Sequence, residues 1–191
     1  IITGGLGYIG TELCKLYSGV SWHHKITVID SRFISERVNQ IRNWNMEFIQ
    51  GDILDKNLIK RYCEDADVVH HLAGVTDVPR TKSESSKAQD EKIKEVGERG
   101  TQNILDVIKN DCKIIFPSTH VVYEGIDKVK TNIQENEATK PVLSYSSSKA
   151  VNEDQLKKSG KNYVILRLGS VYGYSTDSMR IDIMPNLFSK I

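Results

Sequence analysis

The sequence predicts an α/β fold in which a doubly wound parallel sheet is covered by helices. Three observations carry this. Short apolar runs of strand length alternate with longer stretches whose apolar residues recur at helical spacing. The first apolar run leads straight into a glycine-rich turn that opens a helix. An acidic residue closes the second run about 20 residues later. At 191 residues the chain can bury one sizeable core.

The opening stretch, Ile1-Ile2-Thr3-Gly4-Gly5-Leu6-Gly7-Tyr8-Ile9-Gly10, reads as a strand end, a turn and the first turn of a helix. Glycines at 4, 7 and 10 have separate tasks if a dinucleotide lies there. They allow a sharp turn, a bare approach for the pyrophosphate, and close packing of helix on strand. Tyr8 and Ile9 begin a helix whose free N–H groups and positive dipole end face the phosphates. Asp30 ends the run Lys25–Asp30, where a ribose-binding carboxylate belongs. Together these mark the sheet as Rossmann-type.

The other elements follow in order. Tyr8 to about Ser18 is predicted helical from Ile9, Leu13, Leu16 and Tyr17, and residues 25–30 form the second strand. A polar helix over 32–42 leads to a short strand at 46–50, which ends at Gly51-Asp52-Ile53. A helix over 56–63 precedes the buried strand 66–74. Residues 75–90 read as a polar loop, and 90–109 as a long helix interrupted or strained near Gly97 and Gly100. Lys113–Pro117 is a strand running into Ser118-Thr119-His120. After a polar excursion at 124–141 come a helix from Tyr145 to Ser159 and a strand at 162–167. The division expected is residues 1–167 for the nucleotide-binding domain and 168–191 for the start of a smaller substrate lobe. With only Ile1 and Ile2 before the turn, and an apolar helix-like stretch at the far end, further residues are expected at both ends.

Hydrophobic content of 39% and charged content of 27% suit a globular protein, and a net charge of +1 exerts no general pull on nucleic acid or anionic membrane. No apolar run reaches the roughly 18 residues of a membrane span. Cys14, Cys63 and Cys112 are odd in number, with no Cys-x-x-Cys, which fits buried thiols in a cytoplasmic protein. His70 and His71 are adjacent on a strand and point to opposite faces, so no metal site is expected of them. The Lys- and Ser-rich run at 82–94 lacks the arginines and aromatics of a nucleic-acid surface.

Ligands of such a sheet bind at the carboxyl ends of the strands. Tyr145 is the only one of the eight tyrosines followed by a lysine four positions on, Lys149. The pair shares a helix face, and a nearby ammonium favours the phenolate, which makes Tyr145 a candidate base near neutral pH. Thr119 stands at the mouth of the preceding strand.

With these residues in view, the whole chain resembles the extended short-chain dehydrogenase/reductase family, in its branch of NAD-dependent epimerases and dehydratases. The resemblance rests on Thr3 to Gly10, Asp30, Gly51-Asp52-Ile53, His71-Leu72-Ala73-Gly74, Gly100-Thr101-Gln102-Asn103, Ser118-Thr119 with Val122-Tyr123, Tyr145 with Lys149, and Leu166-Arg167. It implies NAD as cofactor and a nucleotide sugar as substrate. Tyr145 would be the acid/base and Lys149 the partner of the nicotinamide ribose, while Thr119 would hold the substrate oxygen. Asp30, with Ser31 beside it, would take the adenosine ribose; Asp52 and Ile53 the adenine; and Leu72, Ala73 and Gly74 the pyrophosphate and ribose path. His120, Ser170 and Asp182 would face the substrate.

Departures from the family pattern narrow the expectation. The family's sugar-nucleotide 4,6-dehydratases carry an acidic pair after the threonine and its decarboxylating members a glutamate where Val121 stands, whereas here His120 and Val121 follow. An epimerase is therefore expected, with a reductase or a non-catalytic NAD-binding protein as alternatives. Gly97 replaces a family asparagine, and an Asp182 near a pyrophosphate would be repelled by it. Arg32 could meet a 2′-phosphate, but Asp30 would repel that group, favouring NAD over NADP. Asp77 and Arg80 are further candidates for the substrate cavity. The resemblance also implies a homodimer through the helices at 90–109 and after Tyr145.

Overall fold

The computed structural model describes residues 1–75, 81–175, 178, 180 and 184–189. Among these, six strands form one parallel sheet: β1 (Ile2–Thr3), β2 (Thr27–Asp30), β3 (Glu47–Gln50), β4 (Val68–His71), β5 (Lys113–Thr119) and β6 (Asn162–Leu168). Their order is β3-β2-β1-β4-β5-β6, so the chain winds one way from β1 and then the other. The reversal falls between β1 and β4 and opens a crevice at their carboxyl ends. Every residue of β1 and β2 is buried, Thr3, Thr27 and Asp30 included.

The helices are α1 (Tyr8–Tyr17), α2 (Ser35–Asn43), α3 (Lys56–Cys63), α4 (Lys87–Lys94), α5 (Gly100–Val107), α6 (Ser144–Lys158) and α7 (Met184–Ser189). They divide the core in two. Leu6, Cys14, Val38 and Ile41 join β1 to β3 in one cluster. Ile59, Ile104, Leu105 and Leu156 pack with Val69, Ile114 and Phe116 in the other. Cys14 belongs to the first cluster and Cys63 and Cys112 to the second, all three as free buried thiols. Burial pushes Cys14 up to about 12 and Cys63 up to about 11.

Local chemistry sets the helix ends. Asp55 caps α3 by accepting from the N–H groups of Asn57 and Leu58, both at 3.0 Å, an arrangement worth about 1 kcal/mol. The helix predicted from residue 32 begins at Ser35, because the chain first turns around the Asp30 carboxylate, which accepts the Arg32 N–H at 3.0 Å. Within the predicted loop 75–90, Ser86 accepts from the Gln89 N–H at 3.3 Å and starts α4 at Lys87.

The long helix predicted over 90–109 is interrupted, as its glycines suggested. A π-helical turn, Glu95–Arg99, separates α4 from α5. Its widened ring frees carbonyls, and α6 supplies donors for them: Asn152 Nδ2 reaches Gly97 O at 3.1 Å and Gln155 Nε2 reaches Glu98 O at 3.0 Å. A side chain at position 97 would collide with Ser148 Oγ, so glycine permits this approach.

Cover over the sheet is incomplete at the β6 edge, where Tyr163, Val164 and Leu166 are exposed by 38–42%. On its inner side β6 is held by a buried ion pair. Arg167 grips Glu153 of α6 through Nε at 3.0 Å to Oε1 and Nη2 at 2.6 Å to Oε2, while Ser118 Oγ donates to Oε1 at 2.6 Å. Burial would raise the Glu153 pKa, but the bonds from Arg167 and Ser118 carry it below the usual carboxylate range. Its contribution is therefore present at neutral pH and is lost as pH falls through the folded-state value. Glu153→Ala strands the Arg167 charge in a mostly buried site and is expected to cost about 3 kcal/mol in urea unfolding. The variant's stability should also depend less on pH in the acid range than that of the parent.

Candidate active site

The glycine turn leaves β1 under a tight constraint. Gly4 adopts φ +70°, and a Cβ there would lie 2.6 Å from the backbone nitrogen of Ala73. A Cβ on Gly10 would lie 2.7 Å from Gly5 Cα, so α1 presses directly onto the turn. Gly7 is the N-cap of α1 and offers no capping side chain. The first helical N–H groups, from Tyr8 to Gly10, thus meet no side-chain cap and present the positive end of the helix dipole. Of the tasks expected of these glycines, the sharp turn falls to Gly4 and the close packing of helix on strand to Gly10.

Asp30 is buried at the end of β2 and braces that turn. Its Oδ2 accepts the Leu6 N–H at 3.0 Å, and its Oδ1 accepts the Arg32 N–H at 3.0 Å and Arg32 Nε at 3.3 Å. Arg32 is thereby committed to Asp30. Ser31 beside it is exposed, and its carbonyl accepts from Gln50 Nε2 at 3.3 Å. Asp52 closes its own turn by accepting the Leu54 N–H at 2.9 Å. Ile53 points into the core, and its carbonyl is held by Asn103 Nδ2 at 3.0 Å, so only its backbone could face a ligand.

Across the crevice, Leu72, Ala73 and Gly74 leave β4 and line one narrow cleft with Tyr145 and Lys149. Val75, Ile93, Gly97, Thr101, Phe116, Ser148 and Asn152 complete the lining. Tyr145, Ser148, Lys149 and Asn152 lie at i, i+3, i+4 and i+7 on α6, one face of the helix. Ser148 and Asn152 were not singled out from the sequence, although that spacing was readable there.

The Lys149 ammonium donates to Pro117 O at 2.8 Å and sits 4.4 Å from the Phe116 ring centroid and 5.9 Å from that of Tyr145. Burial pulls its pKa down to about 8, against the opposing charge of Glu153. The expected lowering of the Tyr145 pKa is not found in this arrangement. Burial dominates and pushes the phenol up, with the positive charge of Arg180 working against it. Arg180 carried no signal in the sequence.

Beneath the cleft, His71 is fully enclosed. Its Nδ1 pairs with Thr3 Oγ1 at 2.9 Å and its Nε2 with Thr101 Oγ1 at 3.0 Å, which ties β1, β4 and α5 together. Thr3 Oγ1 also accepts the Ala73 N–H at 3.3 Å, so the same network steadies the cleft wall. His70 faces the other way, with Nε2 2.8 Å from the Tyr17 hydroxyl. The two rings therefore serve separate networks on opposite faces, as strand geometry requires.

Thr119 ends β5, where its Oγ1 accepts the Val121 N–H at 3.3 Å and starts the short 3₁₀ turn His120–Tyr123. His120 is exposed, with Nδ1 3.1 Å from Leu168 O. Neither residue lines the narrow cleft. Ser170 is exposed, while Asp182, Asp77 and Arg80 fall outside the described residues. The Tyr8 side chain turns to the C-terminal segment: its hydroxyl donates to Gly173 O at 2.5 Å and accepts from Asn186 Nδ2 at 3.4 Å. Of the N-terminal candidates, Tyr8 and Ile9 thus bring backbone rather than side chains to the turn.

The His71 enclosure has a measurable consequence. Burial, with help from the Lys149 charge, drives its pKa down to about 3, against about 6.5 for a free histidine. The unfolded chain then takes a proton that the folded chain refuses. Stability should be full above pH ~6.5 and decline as pH falls toward 3. By NMR the His71 ring should stay neutral from pH 8 down to 5; a ring that titrates near pH 6 would contradict the enclosure.

The sequence matches the NAD dependent epimerase/dehydratase family over residues 1–191. It is 30% identical to dTDP-D-glucose 4,6-dehydratase of Dictyostelium discoideum, over 91% of this chain and 44% of that protein. It is 30% identical to CDP-paratose 2-epimerase of Salmonella typhi, over 91% and 57% respectively. Among solved structures, UDP-glucuronic acid 4-epimerase of Bacillus cereus with UDP-glucuronic acid and NAD superimposes with a TM-score of 0.76 at 25% identity, covering 97% of this chain and 60% of that one. UDP-glucose 4-epimerase of Brucella ovis with NAD gives a TM-score of 0.71 at 27% identity, covering 91% and 52%. The chain thus spans about half the length of the relatives it matches, 44% and 57% in the two proteins compared by sequence. Among the described residues no helix is long and apolar enough to cross a membrane. With the glycine turn, the Asp30 brace and the α6 face all in this match, the chain belongs to the NAD dependent epimerase/dehydratase family.

Proposed function

We propose that the protein is an NAD-dependent epimerase of a nucleotide-activated sugar. The observation that carries this reading is the cleft where Tyr145 and Lys149 face Leu72, Ala73 and Gly74. The uncapped start of α1 and the glycine cradle suit a pyrophosphate, and Asp30 still has lone pairs to offer a ribose. Gly4, Gly7, Tyr8, Ile9 and Gly10 would hold the dinucleotide on one side. Asp30, Ser31, Asp52 and Ile53 would lie along its adenosine end, and Leu72 to Gly74 along its other half. When bound, NAD supplies the oxidant that takes hydride from the sugar and later returns it.

The residues of this chain would then handle protons and position. Tyr145 Oη would take the proton of the sugar hydroxyl as it becomes a carbonyl, and give it back when the carbonyl is reduced on its other face. Thr119 would hydrogen-bond that oxygen throughout. Burial opposes the phenolate and the Arg180 charge favours it, while Lys149 Nζ lies 5.9 Å from the ring centroid. His120, Ser170 and Asp182 would border the sugar nucleotide. No carboxyl follows Thr119, since His120 and Val121 stand there, which favours epimerisation over elimination or decarboxylation.

Tyr145→Phe should lower kcat by about 10³-fold while leaving NAD affinity within about twofold. Retained turnover would refute the role of Tyr145. A reductase would use the same groups but consume NADH mole for mole, so the assay should follow NADH as well as sugar; an epimerase leaves it unchanged.

We also infer a homodimer through α4, α5 and α6, a reading that the exposed Val151 on α6 supports at 40% exposure. Light scattering of the intact protein at micromolar concentration should give twice the monomer mass; the monomer mass would overturn this. The buried free thiols suit a reducing compartment, as in the cytoplasm.

A further inference from the structure

Helix α6 carries Tyr145 in its first turn, yet its N-cap is Leu143, whose side chain has no acceptor for the free N–H groups. The Leu143 N–H is bonded to Ser146 Oγ at 3.2 Å, and the residues that lead into the helix are held from elsewhere in the chain. Glu124, which follows the 3₁₀ turn begun by Thr119, directs Oε1 at the start of α6. That one oxygen accepts the Val142 N–H at 2.8 Å, the Leu143 N–H at 2.7 Å and the Ser146 hydroxyl. The donors lie on both sides of Tyr145. Two backbone bonds fasten the flanks: Lys140 N–H to Val122 O and Gly125 N–H to Lys140 O, each 2.8 Å.

We propose that Glu124 is a positioning residue for the reaction, fastening Val142, Leu143 and the Ser146 side chain around the start of α6 and so setting the place of Tyr145 relative to Thr119. This rests on the roles proposed above for those two residues. Physically, a carboxylate at a helix start satisfies free donors and meets the positive end of the dipole. Burial works against its charge, but the bonds from Ser146, Leu143 and Val142 prevail and hold its pKa below the usual carboxylate range. Thr119 and Ser146 lie 27 positions apart in the sequence, and the bond from Ser146 to Glu124 joins their segments directly.

Loss of Glu124 should fray the first turn of α6 and leave the rest of the helix in place. Downstream, Asn152 and Gln155 are bonded to the π turn and Glu153 to Arg167. The glycine turn lies on other elements and Lys149 keeps its own bond to Pro117 O at 2.8 Å, so cofactor affinity should hold. Glutamine can present a carbonyl oxygen where Oε1 now lies, and so separates acceptor geometry from charge.

The test uses the intact protein as parent, Glu124→Ala and Glu124→Gln, with Tyr145→Phe as the inactive reference. Three quantities are read: kcat and KM with nucleotide sugars, NAD affinity by fluorescence titration, and amide exchange in peptides covering 140–149. For Glu124→Ala, kcat should fall about tenfold, KM and NAD affinity should stay within about twofold, and exchange should quicken at 140–149 alone. Glu124→Gln should restore kcat to within about threefold of the parent and recover most of the protection. The proposal is overturned if Glu124→Ala keeps parental kcat, if exchange at 140–149 is unchanged, or if Glu124→Gln is as impaired as Glu124→Ala. A parent that turns over no nucleotide sugar would instead sink the proposed function, and the exchange measurement would still decide whether Glu124 holds the helix start.

Discussion

The crevice exists because the backbone of the glycine turn touches the backbone leaving β4. At Gly4 the chain has φ +70° and no room for a side chain against Ala73. Here β1 and β4 run side by side, with the Leu72 N–H bonded to Thr3 O at 3.1 Å, and then diverge. Any bulk at that point would push the two strand ends apart and dissolve the cradle. The Thr3–His71–Thr101 network beneath it acts in the same direction, since Thr3 Oγ1 holds both the imidazole and the Ala73 N–H. Packing and hydrogen bonding therefore converge on one small region before any ligand is considered.

The opposite wall is governed by α6. Its middle is anchored at several places: Lys149 on Pro117 O, Asn152 and Gln155 on the π turn, and Glu153 on Arg167 and Ser118. Because Ser118 precedes Thr119, the ion pair joins the end of β5 to the helix that carries the phenol. The helix start is fastened by Glu124 instead. The two walls of the cleft are thus held by separate sets of bonds, one at the β1–β4 junction and one along α6.

Much of this was legible in the sequence. Parallel strands buried on both faces, such as Thr27–Asp30, leave short runs centred on β-branched residues, and glycines 4, 7 and 10 take their meaning from Asp30 about 20 residues on. The pair Tyr145 and Lys149 declared a shared helix face, and Gly97 and Gly100 flagged the disturbance that proved to be a π turn. What was not legible depends on tertiary position. An isoleucine after Asp52 reads equally as a ligand contact or as core, and Ile53 packs in the core. The rise in the Tyr145 pKa comes from burial, which spacing along one helix does not report. Arg180 and Glu124 act across long sequence separations, and no periodicity marks them.

The three thiols lend the fold a built-in reporter. Cys14 sits on one side of the sheet and Cys63 and Cys112 on the other, with the first two held far from ionisation by burial. A thiol that is protonated and enclosed reacts with alkylating agents only when its layer opens. The rate at which each cysteine takes up label therefore clocks the breathing of its own layer, and the two halves of the interior can be timed independently without introducing any foreign probe.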